Sequence, residues 1–543
     1  MPLVAVADIP LWLAVLAACS AAAASLAVRD PRRRVRAMIG AGVLAVGIVG
    51  LEGAGSITGS LADHLPALGI LAGAGVIAVG GLAAVFARWP VALPVALIAV
   101  LPFRLPLEIG SSTVSLLAPL YAVIAAGVAV TWWRERAAGK AAPATTPEPP
   151  ERVAERRKIA RGWAGAPRRL QLALAAVVAL YGLQAGYSDD VGAAARQAGF
   201  FLVPFTLLFS LLAHTQWTRR LAVTCFGVLM AEALVFSLVG LYEYQAREVF
   251  WNAKVISSNQ FETYFRVNSV FFDPNIFGRF LALVMLGVTA WLVWLRRSWP
   301  VLGLAVALAV LWAGMVVTLS QSSFAALMAG LAVVAALRWS WRWTAAALGA
   351  GVVAALVVVF GFGSLVRLDT GSDRSIDRAT SGRSKLVEGG LGLVADRPLI
   401  GHGSGSFSRA YRDRQDAGQR EAVSASHTEP ITVAAEQGVL GIAAYVALLA
   451  GAVATLLTGL SRSAPGLGGG RSGGPPPVVR VGLAAAFGAL FVHSLAYAAF
   501  LSDPMTWALL GTAVAFAVRA QAIEPQTRQP PAEPERPVPE PAG

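Results

Sequence analysis

Runs of about 18 or more mostly apolar residues recur from one end of this chain to the other, each long enough to cross a hydrocarbon layer about 30 Å thick. A backbone in lipid must satisfy its own N–H and C=O groups, which leaves helices and closed barrels. The alternating ten-residue segments of a barrel are missing. Only 14% of the 543 residues are charged, against roughly 25% in soluble domains. The expected fold is therefore an all-α polytopic membrane protein. Spans are expected near 9–28, 37–55, 66–87, 90–103, 114–133, 170–187, 198–213, 221–241, 276–295, 300–319, 323–337, 344–364, 437–458, 481–501 and 504–518. The 90–103 stretch is short and Pro-rich and the last pair is close-set, so about 13–15 crossings are expected. Cys19 and Cys225 both fall inside spans and read as small core residues, not as a disulfide or metal framework.

The net charge of +13 is informative through its placement. Basic residues cluster at 29–36, 134–169, 218–220, 296–297, 338–342 and from Arg462 to Arg480. With the spans above, every cluster falls on one side, which the positive-inside rule makes cytoplasmic. Short flanking loops of this kind explain the basic balance without nucleic acid as a partner. The nearly uncharged N-terminus is expected outside, and without a basic n-region the first helix stays as a span.

The opposite face collects loops 56–65, 104–113, 188–197, 242–275, 365–436 and 502–503, with a tight turn at 320–322. The expected organisation is N-terminal spans over 1–133, a basic cytoplasmic linker over 134–169 and central spans over 170–364 carrying outer loop 242–275. A large outer loop follows over 365–436, then C-terminal spans over 437–518 and a disordered Pro/Glu-rich tail over 519–543. Segments 141–150 and 463–477 read as linkers. No internal repeat is evident, which weighs against a secondary transporter.

Four polar stretches on the outer face carry the chemistry. In RVNSVFFDPNIFGRF (266–280), Asp-Pro-Asn signals a turn, Asn275 can cap the next span, and Gly278 permits close helix approach. Arg279, about one turn into the membrane, must snorkel, pair or face a polar cavity. The same spacing equally suits a helix cap with snorkelling arginines. TLSQSSFAAL (318–327) puts Ser320 and Gln321 at a tight turn, which also suits plain interhelical hydrogen bonding. In the large loop, Arg383 and Lys385 lead an amphipathic stretch with Leu386, Leu391 and Val394, read as an interfacial helix ended by Asp396-Arg397-Pro398. GHGSGS (401–406) then offers backbone N–H groups that could cradle an anion, although one glycine-rich turn is weak evidence. His427 lies just before a span in SHTEP, where a neutral imidazole can accept a hydroxyl proton, though a lone surface His more often does nothing. Glu436, at the start of that span, needs a partner if buried. The acids Asp189, Asp190, Asp369, Asp373 and Asp377 read as solvated loop groups, and no metal is expected.

In this order, the four stretches resemble the membrane domain of the O-antigen ligase and O-antigen polymerase family. An Arg-x-x-Ser-x-Phe-x-x-Pro-Asn-x-x-Gly block is matched by Arg266, Ser269, Phe271, Pro274, Asn275 and Gly278. A Ser-Gln step is matched by Ser320-Gln321. A loop Arg, then Asp-x-Pro-Leu-x-Gly-x-Gly-x-Gly-x-Phe and a Tyr, are matched by Arg383, Asp396, Pro398, Leu399, Gly401, Gly403, Gly405, Phe407 and Tyr411. A loop His and Glu-x-Gly-x-x-Gly are matched by His427, Glu436, Gly438 and Gly441. The resemblance covers roughly 170–515. The chain departs from the pattern at Thr428, where the family often has Asn, and near Val387, where it has an aromatic.

The resemblance implies a multi-span, GT-C-like glycosyltransferase of the inner membrane that needs no cofactor and works on the outer, periplasmic or extracellular, face. Its donor would be a glycan on undecaprenyl diphosphate, and its acceptor a sugar hydroxyl on a lipid core or a growing glycan. Arg266 and Arg383 would meet the diphosphate charge, and His427 would deprotonate the acceptor with inversion. Arg279, Ser320, Gln321, Lys385, Asp396, Tyr411 and Glu436 would line the substrate. Membrane lipid and other polysaccharide-assembly proteins are the further partners it allows. Ligase and polymerase share these motifs. A lipid-linked glycan transporter and a non-enzymatic assembly factor remain the readings from other classes.

Overall fold

The computed structural model describes residues 8–56, 61–103, 105–109, 112–141, 165–250, 255–256, 259, 265–295, 299–350, 383–415, 428–458, 460, 477–497 and 499–523. The chain is a polytopic helical membrane protein. Among the described residues, nine helices are long and apolar enough to cross a membrane, and Gly73–Arg88 and Val478–Ser494 are shorter apolar helices. That is fewer than the expected 13–15, and particular segments explain the difference. Pro90, Pro94 and Pro102 confine the 90–103 stretch to Ala92–Ala99, about 12 Å of helix and too short to cross. The expected 344–364 span runs outside the described residues after 350. Residues 142–150 and 463–476 of the expected linkers and the acids Asp369, Asp373 and Asp377 also lie outside them, whereas 519–523, expected to begin the disordered tail, are helical.

One loop is not helical or irregular as expected. Strands Leu105–Ile109 and Ser112–Leu116 pair antiparallel, with Leu105 opposite Leu116 and Ile109 opposite Ser112. Its signal was present in the alternation Leu105, Leu107, Ile109 and Val114, Leu116 around Gly110-Ser111.

The N-terminal helices α1 (Ile9–Ala27), α2 (Pro31–Ser56), α3 (Leu61–Arg88), α4 (Ala92–Ala99) and α5 (Ala118–Ala141) precede α6 (Ala166–Gln184). Next, α7 (Val191–Gln197) and α8 (Val203–Ala213) are joined by a π-helical turn, making one 23-residue span. Three spanning helices then build the second half, α9 (Arg219–Ala246), α10 (Pro274–Trp294) and α11 (Trp299–Thr318), followed by α12 (Gln321–Arg338). Next come α13 (Arg383–Asp396) and α14 (Phe407–Arg414), and then α15 (Glu429–Leu457), α16 (Pro477–Ser494) and α17 (Pro504–Ile523).

These helices bury two large apolar cores. One joins α1, α2, α5, α6, α8, α15 and α17, around residues such as Phe205, Phe209 and Trp507. The other joins α9, α10, α11, α12 and α16, with Phe236, Phe271, Phe277 and Phe280 among its residues. A small third cluster of Leu386, Leu393, Phe407, Ala410, Tyr411 and Ala435 fastens α13 and α14 to α15. The expected helix thus exists, but its buried stripe is Leu386 and Leu393 with Val394 packed against it, and Leu391 points away at 54% exposure. Leu386 and Leu393 are seven residues apart, two full turns, which puts them on one face. Cys19 and Cys225 are buried and free.

Candidate functional site

The Arg266 block folds as a platform at the N-terminal end of α10. Phe271 is its anchor, stacked on Phe277 with centroids 5.3 Å apart and set edge-on to Phe236. Ser269 takes a left-handed conformation (φ 49°), held by its amide donating 2.8 Å to the Glu243 carboxylate and its hydroxyl donating to Phe236 O. The helix cap is Asp273, whose carboxylate accepts from Asn275 N, with Pro274 in the first turn. Asn275 is therefore not the cap expected of it. Its side chain is free for another task, and its Oδ1 accepts from Arg266 Nη2 at 3.0 Å and from Ser320 Oγ at 2.8 Å.

Arg266 is half-buried and clamped at both ends. Its backbone pairs with the Asn259 amide in both directions, and its Nε donates 3.0 Å to Thr318 O. A guanidinium has five N–H donors. Two are engaged among the described residues, one on Nε and one on Nη2. Ser320 caps α12 through Ser323 N, and Ser323 Oγ reaches Asn275 O. Gly278 makes this contact possible, since a Cβ there would meet Ser323 Oγ at 2.7 Å. Gln321, the other half of the Ser-Gln step, is exposed. Leu319, beside Ser320, is also left-handed (φ 49°), so two non-glycine residues are held in costly conformations next to Arg266.

Arg279 does not snorkel. It forms a buried ion pair with Asp503, in the short loop expected at 502–503. Around that loop, the Glu429 carboxylate accepts from Phe500 N at 3.1 Å and Leu501 N at 3.5 Å, and Thr428 Oγ1 donates 3.1 Å to Leu495 O. His427 lies outside the described residues, but its neighbour Thr428 is fixed on this plate. Below Phe280 and Met505, an apolar cavity of about 180 Å³ runs between α9, α10, α16 and α17, walled by Phe226, Leu229, Leu283, Gly287 and Leu483.

A second cluster, two turns along α15 from Glu429, holds most of the remaining expected site residues. The acid that meets the GHGSGS turn is the protein's own. Glu436 accepts from Gly405 N at 2.9 Å and Phe407 N at 3.2 Å. The turn interlocks with the break in α15 at Gly438 (φ 62°), with His402 N donating to Ala435 O and Gly403 N to Glu436 O. Tyr187 OH and Gln184 Nε2 bind Ile400 O and Gln437 O from the end of α6. Asp189 and Asp190 are not solvated loop acids as expected. Asp189 contacts Arg397 at 3.4 Å and His402 Nδ1 at 3.2 Å, and Asp190 caps α7 through Ala193 N. Tyr411 is buried and stacked on Phe407, and Asp396 pairs with Arg414. Asp396, Tyr411 and Glu436 therefore have structural partners here, away from Arg266. Arg383 and Lys385 occupy the first turn of α13, and their side chains lie outside the described atoms.

Gly403 (φ 94°) packs its α-carbon against Ser188, where any Cβ would collide with backbone. Gly403→Ala is expected to cost about 1–3 kcal/mol from the left-handed backbone alone, before the clash. Thermal melting of purified protein, followed by loss of the monodisperse peak, checks this. An unchanged melt would mean that the turn does not hold α6 to α15.

Residues 306–446 match the family described as O-antigen ligase. Over this stretch, about a quarter of the chain, the protein is similar to the O-antigen ligase family. The O-antigen ligase match takes in Ser320, Gln321, Arg383, Lys385, Asp396, Tyr411, His427 and Glu436, whereas Arg266 and Arg279 precede it. No curated protein matches the chain.

Proposed function

We propose that this protein transfers a glycan from an undecaprenyl diphosphate-linked donor to a sugar hydroxyl at the outer face of the cytoplasmic membrane. One observation carries the reading: the half-buried Arg266, with guanidinium donors to spare, stands at one end of helices that enclose an apolar cavity. A diphosphate on a lipid tail has this division of chemistry, an anionic head at the surface and a long apolar chain below. Arginine suits the head because its fork matches phosphate oxygens two at a time. Arg266, with Arg383 from the loop, neutralises the charge that develops on the leaving diphosphate. Arg279, tied to Asp503, and Ser320, tied to Asn275, hold the platform in place.

In the reaction, the acceptor oxygen attacks the anomeric carbon from the side opposite the diphosphate. The new C–O bond forms as the old one breaks, the leaving diphosphate takes the electron pair, and the hydroxyl proton passes to the His427 imidazole. Inversion follows, and no metal is needed, since guanidinium groups supply the positive charge. A growing repeat chain as acceptor would make the same site a polymerase. A transport path would require charged groups lining the membrane interior, and Arg279 and Asp503 are instead closed on each other.

The test uses the full-length protein in vesicles with its outer face outward, given lipid-linked glycan donor in the bilayer and acceptor added outside. Transfer that persists with EDTA supports the reading. Transfer only after a divalent cation is restored would overturn the metal-independent chemistry, and transfer only from a nucleotide sugar would overturn the donor.

A further inference from the structure

His493, at the C-terminal end of α16, was in no expected site, yet it is completely buried and lies beside the platform. Its Nε2 is 3.3 Å from Ser322 Oγ, and its ring leans on Tyr497 with centroids 5.6 Å apart. Ser322 Oγ is 3.2 Å from Ser320 Oγ, which in turn donates to Asn275 Oδ1, the oxygen that also receives Arg266 Nη2. The hydrogens in this chain can be assigned by counting. A hydroxyl has one hydrogen, and that of Ser320 goes to Asn275 Oδ1. Ser323 Oγ, 2.8 Å from Ser320 Oγ and 3.2 Å from Asn275 O, can give its hydrogen to either without altering this count. Ser320 Oγ therefore accepts from Ser322, and Ser322 Oγ accepts from an Nε2–H of His493. Every bond then points the same way, from the imidazole to the amide oxygen that anchors Arg266, and aligned hydrogen bonds polarise one another.

The last turn of α16 is tied on its other side as well. Two residues beyond His493, Leu495 O accepts from Thr428, the residue after His427. The same short stretch thus contacts both the anchor of the proposed phosphate clamp and the start of α15.

We propose that His493 is a positioning residue that, through Ser322, Ser320 and Asn275, holds the Arg266 guanidinium in place. This rests on the reading of Arg266 as the diphosphate clamp. A histidine that merely filled space would be replaceable by leucine. A histidine at the head of a directed chain would be replaceable only by a side chain that donates from the same place.

The experiment compares wild type, His493→Leu, His493→Gln and Ser322→Ala as monodisperse full-length protein in vesicles, measuring kcat and the KM for lipid-linked donor. His493→Leu is expected to raise donor KM about tenfold with a smaller effect on kcat, as expected when ground-state and transition-state binding are weakened together. His493→Gln, whose amide can donate to Ser322, is expected to restore most of the loss. Ser322→Ala should raise donor KM similarly, and combining it with His493→Leu should add little, because the two break one chain. An unchanged donor KM in His493→Leu, a glutamine no better than leucine, or additive effects would each overturn the proposal. If His493→Leu is not recovered folded, an unchanged KM in Ser322→Ala overturns it from the other end. Arg266→Ala is measured beside them. Full activity there sinks the clamp itself, whereas a dead Arg266→Ala with a wild-type His493→Leu sinks only the coupling.

Discussion

Arg266→Ala should reduce glycan transfer by at least about 10²–10³-fold, the usual loss when one preorganised donor to a developing anion is removed. The protein should still fold, because Asn275 Oδ1 keeps its bond from Ser320 and the Phe271 anchor is untouched. Arg266→Lys should recover only part of the activity. The guanidinium spends Nε on Thr318 O and Nη2 on Asn275 and has further N–H groups, whereas an ammonium cannot hold both carbonyls and offer paired donors to a phosphate. Arg383→Ala should show a loss of the same kind. Turnover in vesicles with saturating acceptor and varied donor is the measurement. Wild-type turnover in both alanine variants would remove the arginines from the mechanism.

His427→Ala should lower kcat by about 10²–10⁴-fold, the range for a positioned general base. Donor KM should stay near wild type, because the imidazole would touch the acceptor hydroxyl and not the diphosphate. The sign of the pH effect follows from the role. A base must be unprotonated, so wild-type kcat should fall as pH drops through the ordinary imidazole range of about 6.5, and the residual activity of His427→Ala should lose that dependence. A mutant with normal kcat, or one that keeps the same acid limb, would assign the proton transfer elsewhere.

These two predictions concern the residues most legible in the sequence, and the structure supports them unequally. Arg266, Ser269, Phe271, Asn275 and Gly278 stood in one block, and each now has a separate physical task, from aromatic anchor to close-packing glycine. The role of Asn275 was misjudged, because Asp273 could cap the same helix and a one-dimensional spacing cannot choose between neighbouring caps. The GHGSGS turn was expected to offer its N–H groups to an anion, but Gly405 N and the following Phe407 N are taken by the Glu436 carboxyl, from another element 30 or so residues on. Asp396 and Tyr411 matched the family pattern equally well, yet they fasten α13 and α14 to α15. Asp189, Asp503, His402 and His493 carried no local signal, since each acquires its partner only from a distant segment.

Sequence alone was sufficient for the membrane-spanning helical class, because lipid leaves a backbone few ways to satisfy its hydrogen bonds, and long apolar runs declare themselves whatever they pack against. It was also sufficient to pick out Arg266 and its block as chemically unusual, since an arginine, a capped turn and a glycine at fixed spacing lie within one stretch of chain. Only the tertiary structure decided which expected binding residues are free to meet a ligand and which are already engaged. It closed Arg279 on Asp503 and Glu436 on the glycine turn, and left Arg266 with donors to spare. The reason is that a polar group's availability is set by what packs against it in space. Those contacts join segments up to 224 residues apart, as between Arg279 and Asp503, beyond the reach of any local pattern.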